Sequence, residues 1–84
     1  RIVWDEPKRL ANIEKHGLDF ASLSFEFFET ATIESARHNR FLAIGDLDGV
    51  RLIAVVFAPL GAEALSVISM RPANRLKGAA DDQQ

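Results

Sequence analysis

The 84-residue chain is predicted to be an α+β domain: a short N-terminal strand, two helices, then an antiparallel meander of three to four strands with the helices on one face. Three observations predict it. Apolar residues recur at helical spacing as far as about residue 29. From about residue 31 the period changes to two. Asp48-Gly49 then marks a hairpin, because such a turn needs positive φ at its central positions, and an apolar run follows it. Helices grouped ahead of a meander are the α+β pattern.

Ile2 to Trp4 reads as the first strand. Asp5 offers a helix N-cap, with Glu6 and Pro7 in the first turn, where a negative charge and a missing N–H are both tolerated. Helix one is expected from about Glu6 to His16, burying Leu10, Ile13 and Ala11, and Gly17 is placed to end it in the left-handed conformation. Asp19 is a second N-cap, opening helix two from about Phe20 to Glu29. Phe20, Leu23 and Phe27 share one stripe of it, and Ala21, Phe25 and Phe28 an adjacent one.

Strands are then expected over Thr30 to Ala36, Arg40 to Asp46, Val50 to Ala58 and Ala64 to Met70. The two-residue turn Asp48-Gly49 joins the middle pair, and Pro59-Leu60-Gly61 makes the next turn. Val50 to Ala58 is almost unbroken apolar sequence, which suits a central strand buried on both faces. Residues 1–77 form one domain and residues 78–84 a disordered polar tail. The sheet face away from the helices is left uncovered unless Asn74 to Gln84 folds back, and an uncovered face invites a partner or ligand.

The chain has no Cys, so disulfides, thiolate metal sites and a cysteine nucleophile are excluded. No apolar run reaches the roughly 18–20 residues that would span a bilayer, and no signal peptide is recognised, so a cytoplasmic location is expected. Net charge is -2, which by itself does not suggest nucleic acid. The distribution is more telling. Residues 18–36 hold four acidic residues and no Lys or Arg, whereas residues 37–80 hold six basic residues (Arg37, Arg40, Arg51, Arg71, Arg75, Lys77) against three acidic ones. A fold that gathers these on one side makes a positive face; otherwise they are scattered solvated charge.

No metal motif and no phosphate-cradling glycine loop is present, and no metal or cofactor is expected. A Ser-His-Asp triad lacks its nucleophile elbow. RNA cleavage without metal suits the residues better. The ribose 2′-hydroxyl is the nucleophile, so the protein supplies a base, an acid and cations for the extra phosphoryl charge. His16 can transfer protons at neutral pH, and Arg presents a fork matched to phosphate oxygens. The competing explanation is structural: Lys15 and His16 end a helix, where cations meet the dipole.

Trp4-Asp5, Lys8, Asn12, Lys15-His16-Gly17, Phe20, Ile44-Gly45, Gly49-Val50-Arg51 and Ile68-Ser69-Met70-Arg71 with Ala73 together resemble the BrnT family of type II toxin–antitoxin toxins. The resemblance covers roughly residues 2–75. It implies a RelE-like endoribonuclease fold, RNA degradation and inhibition of translation. It also implies neutralisation by a cognate BrnA-like antitoxin in a 2:2 complex, with DNA bound only through the antitoxin and no membrane partner. His16, Lys15, Arg51 and Arg71 carry over as candidate catalytic residues, with Arg40, Arg75 and Lys8 as RNA-binding candidates. The family's charged C-terminal helix is replaced here by Asn74-Arg75-Leu76-Lys77-Gly78. That departure keeps open an alternative, a degenerate, non-catalytic module that still docks an antitoxin or another protein.

Overall fold

A computed structural model of the chain describes residues 1–49 and 51–73. Val50, Arg75 and the expected tail at 78–84 lie outside the described residues. The elements are β1 (Ile2–Trp4), α1 (Glu6–His16), a 3₁₀ turn (Phe20–Ser22), α2 (Phe25–Thr30), β2 (Thr32–Ser35), β3 (Phe41–Asp46), β4 (Leu52–Leu60) and β5 (Ala64–Pro72). One mixed five-stranded sheet has the order β1-β5-β4-β3-β2. β1 pairs with β5 in parallel, and the other pairings are antiparallel.

The core lies on one face of the sheet. Leu18, Phe20, Leu23 and Phe27 pack on Ala43, Ile53, Val55, Phe57, Val67 and Met70. Phe28 meets the Phe57 ring edge-on at 5.1 Å, and Phe41 stacks on Phe57 at 5.8 Å. Gly45 faces α2, where a Cβ would come within 3.2 Å of the Ala31 methyl. β4 is buried on its core face at Ile53, Val55 and Phe57, but of the outward residues Ala54 alone is fully buried, while Val56 and Ala58 are half-buried.

Three expectations are corrected. First, helix two is not continuous: Leu23 adopts an extended conformation and separates the 3₁₀ turn from α2. The Phe20, Leu23 and Phe27 stripe is buried as expected, while Phe25 on the adjacent stripe is 46% exposed. Second, the β3–β4 connection is longer than two residues. Leu47 N–H donates to the Arg51 carbonyl at 3.0 Å, and Asp48 Oδ1 accepts the Arg51 N–H at 3.1 Å. Third, α1 does not bury Leu10 and Ala11. Leu10 is 54% exposed and Ala11 is exposed, whereas Asn12 is only 7% exposed.

Polar anchors turned the helix. Trp4 Nε1 donates to Glu6 at 3.1 Å. Arg9 bridges Glu6 at 2.6 Å and Asp19 at 3.0 Å, tying α1 to the segment that follows it. Arg9 draws the Glu6 carboxyl below its ordinary range, with Trp4 assisting. The Ala21 N–H, with Arg9 assisting, does the same for Asp19. Depressed carboxyls stabilise the fold fully above their ordinary pKa of about 4, and that contribution is lost as pH falls through the folded values. The melting temperature is therefore expected to drop on acidification below about pH 4, and Glu6→Gln with Asp19→Asn should flatten that drop. Thermal melts by circular dichroism from neutral to strongly acid pH check this.

A strand edge is closed in an unusual way. β1 stops at Trp4, opposite Val67, while β5 runs on to Pro72. Ala73 N–H donates to Leu52 across to β4. N–H groups alternate sides along a strand, so those of Met70 and residue 72 would point to the unpartnered edge. Asn12 Oδ1 accepts the Met70 N–H at 3.1 Å, and residue 72 is a proline with no N–H to leave unpaired.

Candidate functional site

Asn12 brings the ends of α1 and β5 together. Its Oδ1 takes the Met70 N–H, and its Nδ2 donates to the Leu18 carbonyl at 3.0 Å. His16 follows one helical turn later on the same stripe, about 6 Å along the axis, and is half-buried. Lys15 beside it is exposed. Arg71 follows Met70 directly and is exposed. Imidazole, ammonium and guanidinium are thus borne by two elements fastened at one buried side chain. Gly17 holds the helix end with φ 70° and its N–H on the Ile13 carbonyl, as its sequence position predicts.

The other candidates are placed differently. Lys8 lies one turn before Asn12 on α1 and is exposed. Arg51 lies at the same end of the sheet as Arg71, because Leu52 pairs with Asp46 and bonds Ala73. Its guanidinium, however, is held by Asp48 at 3.1 Å, with the two side chains 53% and 47% exposed. A half-exposed pair of this kind is worth about 0–1 kcal/mol, so a phosphate can compete for it. Arg40 is not brought to this end. It closes the β2–β3 turn, beyond the Phe41–Phe57 pair at the far end of the sheet. Arg75 lies outside the described residues.

Cavities separate the regions by charge. A cleft of about 300 Å³ beside the β3–β4 turn is lined by Glu26, Asp46 and Asp48 with Ser24 and Thr30. Carboxylates gathered there disfavour a phosphate in that cleft. Among the described residues no group of three or more His, Asp or Glu side chains can hold a metal ion. No helix of the described residues is long and apolar enough to cross a membrane.

Asn12 enters the sequence expectations as part of the family resemblance, and its linking role is not among them. The signal was a lone amide on the stripe that carries His16 and Lys8. Asp48, three residues before Arg51 in the sequence, is a local partner that the phosphate-binding expectation for Arg51 leaves out.

Comparison with known proteins gives this geometry a family. The family model for the ribonuclease toxin BrnT of type II toxin–antitoxin systems matches residues 4–76. A 1.1 Å crystal structure of the Brucella abortus ribonuclease toxin BrnT is similar, with 58% identity and a TM-score of 0.85, over 88% of this chain and 96% of that one. No curated protein matches. Matched over nearly its whole length, the chain belongs to the BrnT family of type II toxin–antitoxin ribonuclease toxins.

Proposed function

We propose that the chain is a metal-independent endoribonuclease of RelE-like type that cleaves RNA in the cytoplasm and so blocks translation. A cognate BrnA-like antitoxin restrains it in a 2:2 complex, and DNA is reached only through that antitoxin. The observation that carries this reading is the Asn12 link, which fastens the helix end bearing Lys15 and His16 to the strand end bearing Arg71.

In the proposed reaction the ribose O2′ attacks phosphorus, the O2′–P bond forms, and the P–O5′ bond breaks. A proton leaves the 2′-hydroxyl and another reaches the departing O5′. The products are a 2′,3′-cyclic phosphate and a free 5′-hydroxyl. His16 moves protons, with Lys15 as a second group that can do so or hold phosphate. Arg71 stabilises the charge that builds on the phosphoryl oxygens, where a preorganised cation acts most strongly. Arg51 joins it when phosphate displaces Asp48. Lys8, Arg40 and Arg75 hold the RNA backbone.

The test is incubation of pure protein with RNA in EDTA, alongside induced expression with and without the antitoxin. Cleavage in EDTA, and growth arrest that the antitoxin relieves, are expected. An intact substrate, with and without ribosomes, would sink the reading.

The Arg51–Asp48 pair favours a second reading, a non-catalytic module that only docks its antitoxin. Asp48→Asn separates the two. It keeps the Oδ1 acceptor for the Arg51 N–H but removes the charge. A nuclease should then bind RNA several-fold more tightly, with stability changed by less than about 1 kcal/mol. RNA titrations and thermal melts of the variant measure both effects.

A further inference from the structure

We propose that the β2–β3 turn, Arg37-His38-Asn39-Arg40, is a second grip on RNA backbone phosphates, separate from the site at the other end of the sheet. The RNA ligand class rests on the nuclease reading; the turn itself is argued from the observations that follow.

Arg37, His38 and Arg40 are all exposed. Among the described residues none of the three has a carboxylate partner, whereas Arg9 and Arg51 are both neutralised by neighbouring acids. The hairpin's own carboxylates stand back from the turn, Glu34 within β2 and Asp46 at the far end of β3. The two guanidinium groups at this turn are therefore unspent.

The backbone is also built at a cost. Arg40 N–H closes the turn on the Arg37 carbonyl at 3.2 Å, and Ala36 N–H bonds the Arg40 carbonyl at 2.8 Å. The central pair has φ 62° at His38 and φ 60° at Asn39. Two successive left-handed residues make a type I′ turn, for which Asn-Gly or Gly-Gly is the unstrained choice. Asn39 tolerates the conformation; an imidazole at 38 stands where glycine would relax the chain. The turn thus presents His38 between two arginines at the expense of local stability, a pattern expected where a side chain has a task.

Position adds the last argument. Arg71 pairs with Ala54, which pairs with Ile44, whereas Phe41 beside the turn pairs with Phe57. Ile44 lies about 10 Å along β3 from Phe41, and β5 lies two strands from β3, about 10 Å across the sheet. A strand of RNA held by Arg71 at one end and by this turn at the other would be several nucleotides long. The turn therefore favours longer substrates without touching the scissile phosphate.

The experiment is fluorescence anisotropy with a short 2′-O-methyl RNA, which cannot be cut, titrated at several salt concentrations. Arg37→Ser with Arg40→Ser should make the log–log salt dependence shallower by about 1.4, from two lost phosphate contacts on a single strand. On cleavable RNA of the same length, KM should rise several-fold with kcat unchanged. His38→Gly should melt at a higher temperature yet bind the RNA more weakly. An unchanged salt slope in the double variant overturns the proposal, and so does a loss confined to antitoxin binding. A more stable His38→Gly protein with full RNA affinity overturns the part given to His38. Failure of the wild-type protein to cleave any RNA strikes the nuclease reading alone, since the uncleavable probe judges the turn by itself.

Discussion

His16→Ala is expected to slow RNA cleavage by about 10²–10⁴-fold, the range for removing a positioned proton-transfer group. The fold should survive. His16 is half-buried at the end of α1 and, among the described residues, makes no side-chain hydrogen bond to another element. Alanine is a good helix former, and the C-cap depends on Gly17. A melting temperature within a few degrees of wild type, together with the lost rate, would place the effect in the chemistry. Arg71→Ala is the partner experiment. In the proposed mechanism its guanidinium acts on the same phosphoryl group, so the two losses should not add. The double variant should be little slower than the worse single one, as for residues that act as a unit. Full activity in either folded single variant would remove that residue from the site. Measured rates of RNA hydrolysis in EDTA decide both.

The architecture was legible because its signals are local. β1 was read in place, Gly17 ends α1, and Asp19 caps the next segment by accepting the Ala21 N–H at 2.9 Å. The change to a period of two located the strands within a few residues. Reading failed where tertiary polar contacts overrode periodicity. Leu10 belonged inside by spacing, yet Arg9 and Asn12 hold the helix by ion pairs and amide bonds that no hydrophobic pattern records. Helix two is interrupted at Leu23, whose extended backbone apolar spacing cannot show.

The site was legible only in part. Its residue types pointed to phosphate chemistry, but the link between the elements that carry residues 16 and 71 depends on a hydrogen bond from Met70 to Asn12, positions 58 apart in sequence. Arg40 illustrates the converse. It is chemically as fit for RNA as Arg71, yet sheet register sends it to the opposite end. Type and spacing along a chain do not encode which end of a sheet a turn occupies; pairing does.

Asn12→Leu is expected to cost about 2–6 kcal/mol, because it leaves two backbone groups unpaired in a buried place at about 1–3 kcal/mol each. At typical stability per residue the whole domain has about 4–13 kcal/mol, so the loss is a large fraction of the fold. Leucine matches the amide in size, so little of the cost is a cavity. The Met70 N–H faces an edge that β1 no longer covers, and the Leu18 carbonyl lies beside it in the chain's turn from α1 toward the core. Asn12→Asp makes a useful contrast. It keeps an acceptor for Met70 but loses the donor to Leu18 and brings a charge into a site that is 7% exposed, so it too should be destabilising at neutral pH. Urea unfolding gives the stabilities, and hydrogen exchange at the Met70 amide reports whether the link itself has opened. Below the melting transition, the leucine variant should show a faster-exchanging Met70 amide and a lower kcat, since α1 and β5 would no longer be fastened beside His16 and Arg71. A leucine variant as stable as wild type, with Met70 still protected, would mean that this amide does not hold the two halves of the site together.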